Sequence, residues 1–496
     1  MGGAAPGTAS RPLPLCPAHV QLRALATGEI GAEELLGLHL ERIARYNPAL
    51  NAIVTPNVEA ARQAARRADT ARARGTVLGP LQGLPVTIKD AIDVAGLPTT
   101  AGLPARARAL AERDSPLAAA VRQAGAVLLG KTNVPTRTAD WQTENPLFGR
   151  TVNPWDPSRT PGGSTGGGAA ALAAGLSALE FGSDIGGSIR VPAAFCGVYG
   201  HRPSETLVPR HGHVPGTPRP NPAVVMGVLG PLARDARDLA LALDVIAGPV
   251  AGEAIAWRLD LPPTRHHRLR DFRVALVPEV DWLPVDAEVR AAQERVADAL
   301  RRAGARVAPA LPEGFDLRRH EELYSQLLGV MVFADLADAR RAEVATAAGR
   351  TPTPVGTPRA AGILASARHL IELHHRRELQ RAQWRAFFTD WDVLLSPSPI
   401  TPAFPHIDVA IPFSARTLTL DGGAGPTIPY AYLEVLPGLA ALSGQPATEF
   451  PAGRTAAGLP IGLEAIGPYL EDRTPITLAA LLADELGGFA PPPGFG

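Results

Sequence analysis

The chain has 496 residues with 48 Lys+Arg against 48 Asp+Glu, so its formal net charge is zero. That balance excludes the whole-chain basic signature of a nucleic-acid binder and the acidic signature of a solvating tail. Hydrophobic residues make up 46% and charged residues 19%, which excludes disorder, and the two cysteines, Cys16 and Cys196, exclude a disulfide framework or a cysteine-rich metal site.

The opening MGGAAPGTASRPLPL lacks a cationic start followed by an apolar run, so no signal peptide is expected. No apolar stretch reaches about 18 residues, so no spanning helix is expected and a cytoplasmic enzyme is the default. Residues 17–27 read as a short helix closed by Gly28. Residues 32–46 read as an amphipathic helix with Leu35, Leu36, Leu38, Ile43 and Ala44 on its apolar side, ended by Asn47-Pro48. An Ala/Arg-rich helix follows at about 57–74 with Gly75 as its stop. Leu84–Ile88 is a strand-like run, Ser115-Pro116 opens a helix to about 124, and Ala126–Leu129 is another strand. Residues 145–163 are loop-rich; Ala169–Leu176 reads as a helix and Ala178–Phe181 as a strand. Further on come a strand at 272–277, a helix at about 286–303 ended by Gly304, a long polar helix at about 362–388 and a strand at Val393–Leu395. This alternation predicts an α/β fold with a mainly parallel sheet. The stretches 203–222 and 349–359 read as surface loops.

Of the 48 basic residues only Lys89 and Lys131 are lysines. Arginine stays protonated in proteins, whereas a buried lysine can lose its proton and serve as a base. A reference value of about 10.4 must fall by roughly 3 units, on the order of 4 kcal/mol, and desolvation can supply that. Both lysines follow apolar runs, so the sequence leaves them as rival bases. Strand alternation sends Asp90 to the face opposite Lys89, while Asp93 is near enough to act on it.

The segment 162–190 presents two glycine-flanked serines, Ser164 and Ser188. Glycines let a backbone approach a ligand closely, and the amides before Ser188 could face a developing oxyanion. Three other matches compete, each against a local obstacle. Gly125–Thr132 satisfies GxxxxGK[ST], but its inner residues are a buried-strand run and Pro135 obstructs the helix a phosphate loop needs. Gly162–Gly166 satisfies GxSxG, but Pro154–Pro161 cannot be the strand that a nucleophile elbow requires. His374-His375 with Glu378, and His266-His267, read as solvated faces rather than metal ligands.

At these residues the chain resembles the amidase signature family. Gly83-Leu84-Pro85-Val86-Thr87-Ile88-Lys89-Asp90 resembles its catalytic-lysine segment, Gly162-Gly163-Ser164 its Gly-Gly-Ser-Ser-Gly-Gly loop, and Gly186-Gly187-Ser188-Ile189-Arg190 its nucleophile loop. Supporting stretches are Gly130–Asn133, Thr143–Asn145, Pro192–Gly197 and Gly458–Leu463. The resemblance implies one α/β/α domain over 1–496 around a large twisted mixed sheet. Its core would be about 20–250 and 390–470, with 250–390 a variable segment serving as lid or pocket wall. It implies Ser188 as nucleophile, Ser164 in a cis-peptide-linked position relaying its proton to neutral Lys89, and the amides of Ile185, Gly186, Gly187 and Ser188 as oxyanion hole. Lys131 becomes structural. Thr138, Ala139, Asp140, Trp141 and Gln142, with Gly163, fall where relatives line the substrate pocket; Trp141 serves there as an aromatic wall or as core. The proline-rich stretch 200–225 is expected at the rim. Thr165, Ile185 and Glu464 depart from the family's usual serine, threonine and glutamine.

The implied enzyme is a hydrolase of small amides, with anilides, aryl esters and carbamates (urethanes) in range. It uses no cofactor or metal, binds no nucleic acid, and is a candidate homodimer. The alternatives are an amidotransferase A-type subunit working with partner chains, or an esterase using Ser164.

Overall fold

A computed structural model describes residues 11–213 and 225–496. The strands are β1 (Ile53–Pro56), β2 (Pro85–Lys89), β3 (Val127–Thr132), β4 (Glu144–Asn145), β5 (Gly149–Arg150), β6 (Leu179–Asp184), β7 (Tyr199–Arg202), β8 (Val228–Ala233), β9 (Arg273–Leu276), β10 (Arg306–Pro309), β11 (Val393–Ser396), β12 (Thr417–Thr419), β13 (Thr427–Pro429), β14 (Ala447–Arg454) and β15 (Pro460–Ile466). β4–β5 and β12–β13 are small ribbons. The other eleven strands make one sheet in the order β1-β3-β2-β6-β8-β7-β14-β15-β11-β9-β10.

The sheet is mixed, as the family resemblance implies, and not mainly parallel as the alternation of helices and strands suggests. Parallel pairing is confined to β2–β3, β2–β6, β9–β11 and β9–β10. The other neighbours run antiparallel. The sequence reading misses β1, β7, β8, β10, β14 and β15 of this sheet, and all of these but β10 pair antiparallel. β8 reads Val-Leu-Gly-Pro-Leu-Ala and is buried along its whole length. Its Gly and Pro disguise a strand, and burial on both faces removes the alternation that would reveal one.

Local chemistry sets most helix ends as expected. Gly28 closes the helix Ala18–Thr27 in the left-handed region with φ 77°. Ser115 caps the helix Pro116–Gln123, its Oγ accepting from Ala118 N at 3.1 Å. Three expectations change. The helix from Ala32 runs through Pro48 to Leu50 and stops at Asn51, whose φ is 53°. Proline costs one backbone bond there, and Leu50, 3% exposed in the core, holds the last turn in place. The long polar helix starts about a turn later than expected, at Ala367, and runs to Asp390, with a separate helix Gly356–Ile363 before it. The two stretches read as surface loops are partly buried where they are described: Leu207 and Val208 are buried, as are Thr351 and Val355. Residues 214–224, the rest of the supposed rim, lie outside the described residues.

The core binds the two halves of the chain. Val86, Ile88, Phe181 and Leu229 pack in one cluster with Val274, Leu395 and Leu463. Segment 250–390 supplies β9 and β10 to the sheet and the helix Leu317–Phe333 behind the β6 end. Among the described residues no helix is long and apolar enough to cross a membrane.

Candidate active site

β2 and β6 are parallel neighbours, so Lys89 and Asp184 leave the sheet at the same edge. Beyond Asp184 the chain turns through 185–189 into the helix Arg190–Cys196. Beside this turn lies the loop that precedes the helix Gly166–Ala173.

Lys89 is fully buried. Its Nζ lies 2.7 Å from Ser164 Oγ, 2.9 Å from Thr165 Oγ1, 3.0 Å from Ser183 Oγ and 3.4 Å from Ser183 O. Burial pushes the amine down to about 7, against the charges of Asp184 and Glu180. A neutral amine donates two hydrogen bonds and accepts one, so one hydroxyl in this ring can point its proton at Nζ.

Register puts the two lysines in different surroundings. Lys131 pairs with Ile88, while Lys89 pairs with Thr132, so the two side chains leave opposite faces. Asp90 shares the Lys131 face: Lys131 Nζ is 3.5 Å from Asp90 Oδ1 and 3.3 Å from Thr99 Oγ1. Asp93 acts on Lys131 as well. Lys131 therefore has a carboxylate partner, and Lys89 has hydroxyls.

Ser164 is 1% exposed, and the Gly163–Ser164 peptide is cis. Gly162 has φ 83°, and a Cβ there would sit 2.6 Å from Pro192 Cα, so glycine is required. No strand precedes this loop, and the Ser164 hydroxyl faces Lys89, unlike a nucleophile elbow. Thr165 N donates to Ser188 O at 3.1 Å, tying the two serine loops together. Ser188 is half-buried, the most open member of the group.

The Asp184 carboxylate organises the turn that carries Ser188. It accepts from Gly187 N and Ile189 N, both at 3.0 Å, and from Arg190 Nη2 at 2.9 Å. Burial works against its charge, but Arg190 and the amide donors hold it well below the usual carboxylate range. The Gly187 amide is thus engaged by Asp184. Of the four expected oxyanion donors, the amides of Ile185, Gly186 and Ser188 are not taken by that carboxylate. Arg190 Nη1 also donates to Glu464 Oε2 at 2.7 Å, which gives the unusual Glu464 an ionic partner.

The expected pocket residues divide. Trp141 is 6% exposed, donates from Nε1 to Gly186 O at 3.0 Å, and packs on Phe413 and Tyr430. It is a core residue touching the turn. Asp140 accepts from Tyr430 OH and Arg416 Nη1, both at 2.6 Å. Gln142 holds the backbone of Ile407, accepting at 2.7 Å and donating at 3.1 Å. Gly163 packs where a Cβ would strike the Asp140 carbonyl. Ala139 is exposed and Thr138 half-exposed with φ 58°.

Sequence reasoning missed Ser183, Glu180 and Tyr324. Ser183, one residue before Asp184, was readable as a neighbour of the Ser188 loop. Tyr324, whose OH donates to Ile185 O at 3.0 Å, carried no signal because it arrives from 139 positions away.

A family model described as Amidase matches residues 34–475. An indoleacetamide hydrolase of Bradyrhizobium diazoefficiens is 34% identical over 386 residues, 76% of this chain and 71% of that one. The A-type subunit of the glutamyl-tRNA(Gln) amidotransferase of Synechococcus sp. (strain CC9605) is 33% identical over 473 residues, 90% of this chain and 92% of that one. The solved structure of 6-aminohexanoate cyclic dimer hydrolase complexed with substrate superposes with a TM-score of 0.76 at 26% identity, covering 97% of this chain and 99% of that one.

Proposed function

This chain belongs to the amidase family and is an amide-hydrolysing enzyme, and on that premise we propose a serine acyl-transfer mechanism in which Lys89, Ser164 and Ser188 carry the chemistry. The observation that carries it is a fully buried lysine, Nζ 2.7 Å from Ser164 Oγ, whose burial pulls the amine down to about 7.

Ser188 Oγ attacks the substrate carbonyl carbon. Its proton passes to Ser164 Oγ, and the Ser164 proton passes to Lys89 Nζ. The carbonyl π electrons move onto oxygen, where amides of Ile185, Gly186 and Ser188 stabilise the negative charge. Collapse expels the amine, which takes a proton back from Lys89 through Ser164. Water then cleaves the acyl-enzyme by the same relay. Thr165 and Ser183 hold Nζ in line. The substrate class is small amides, arylalkyl amides among them, with anilides, aryl esters and carbamates sharing the same acyl chemistry. The indoleacetamide hydrolase relative supports an aromatic acyl group. The working unit is the whole chain, acting in the cytoplasm, alone or as a homodimer.

The likeness to A-type subunits of amidotransferases supports a second reading, action with partner chains on a larger amidated intermediate. One experiment separates them: purified chain alone, tested on indole-3-acetamide, an acetanilide, an aryl ester and an aryl carbamate. Turnover without partners is the expected result, and its absence across the panel favours the partner-dependent reading. On any substrate turned over, Ser188→Ala should cost at least about a thousandfold in kcat. The rate should fall below a midpoint near 7, as Lys89 becomes charged. Retained activity in Ser188→Ala sinks the mechanism.

A further inference from the structure

The two carbonyls that open the nucleophile turn are each held from outside. Tyr324, fully buried on the helix Leu317–Phe333, donates its hydroxyl to Ile185 O at 3.0 Å. Trp141 donates to the next carbonyl, Gly186 O, at 3.0 Å. The cis peptides among the described residues are at Gly163–Ser164, Thr353–Pro354 and Ser398–Pro399, so the Ile185–Gly186 peptide is trans. In a planar trans peptide the C=O and N–H point in opposite directions. A bond that fixes Ile185 O therefore fixes the Gly186 N–H, aimed away from Tyr324. The same rule applied to Gly186 O aims the Gly187 N–H at Asp184, where it is found at 3.0 Å.

Consecutive glycines are the part of the loop least able to hold a peptide plane by their own sterics. The tyrosine sits against that weak point: a Cβ on Gly186 would lie 2.9 Å from its hydroxyl oxygen. Resting on the reading of Ser188 as nucleophile, we infer that Tyr324 is a positioning residue for the oxyanion hole, holding the Ile185–Gly186 peptide so that the Gly186 amide faces the developing oxyanion. The 250–390 segment then contributes directly to turnover through this one hydroxyl. Burial, with Glu434 and Glu321 nearby, pushes the phenol far above its ordinary value, so it remains a donor.

The test is Tyr324→Phe in the full chain, beside wild type, Ser188→Ala and Tyr432→Phe. Tyr432 donates to Thr353 O at 2.9 Å, so its variant removes a comparable hydroxyl that does not touch the turn. Deleting an oxyanion donor outright costs about 100- to 1000-fold, so a loosened donor should cost about tenfold in kcat. KM and the pH midpoint of the acid limb should stay put. Phenylboronic acid, which accepts Ser188 Oγ and places a negatively charged hydroxyl in the oxyanion position, should lose affinity by the same factor. Tyr432→Phe should leave kcat and this affinity unchanged. Where Tyr324→Phe loses its fold, Gly186→Ala presses on the same hydroxyl and should give the same kcat and boronate losses. Unchanged kcat in folded Tyr324→Phe, a loss confined to KM, or a shifted acid limb overturns the inference. If Ser188→Ala stays active, the underlying reading has failed instead; if it is dead while Tyr324→Phe is fully active, only the inference has.

Discussion

Lys89 shares its burial with a second group that titrates in the same range. Glu180, on β6, is fully buried, its Oε1 accepting from Thr132 Oγ1 at 2.7 Å, and burial pushes it up to about 7. Its negative charge raises Lys89, opposing the desolvation that lowers the amine. Glu180→Gln removes that charge, so Lys89 should give up its proton more readily. The acid limb of kcat/KM should move to lower pH by about 0.5–1 unit, while the plateau rate stays near wild type. A pH–rate profile on any turned-over amide checks this, and a limb that moves up contradicts it. The scarcity of lysine singled out Lys89 and Lys131 in sequence. Only the pairing of Lys131 with Ile88 decided between them, because that register assigns each side chain its face.

At the scale of the element, the turn that carries Ser188 is an ionic structure. Asp184 collects two amides and the Arg190 guanidinium in a fully buried setting, and Arg190 extends the chain to Glu464. Removing one partner of a buried ion pair leaves the other charge uncompensated, at about 3–5 kcal/mol. Asp184→Asn should lower unfolding free energy by about that amount in urea titrations. It should also cost activity below the onset of unfolding, since the Gly187 and Ile189 amides lose a charged acceptor. The glycines and serines of this turn were plain in sequence because turn chemistry is local. Its anchors were not: Trp141, Tyr324 and Glu464 come from three remote segments.

Across the whole molecule, the central β14–β15 hairpin carries a cost. Glu449 lies directly opposite Glu464, and both are fully buried. Neither oxygen of Glu449 has a hydrogen-bond partner among the described residues. Burial and the Glu464 charge hold Glu449 protonated well above its ordinary range. An unfolded glutamate releases its proton near 4.3, so above that pH the native state binds more protons and stability falls as pH rises. Glu449→Gln removes this loss. Its Tm advantage over wild type should grow from about pH 5 to about pH 8 by calorimetry; a constant or shrinking difference refutes the account.

The sequence alone determined the α/β character, the limits of several helices in the first half of the chain, the two serine loops and the two lysines, because caps, turns and motif spacing act over a few residues. Tertiary structure decided the mixed strand order, the face each lysine takes, the role of Trp141 as anchor and the approach of Tyr324. Those depend on which distant strands become neighbours, and a fully buried strand shows no alternation from which its partners could be read.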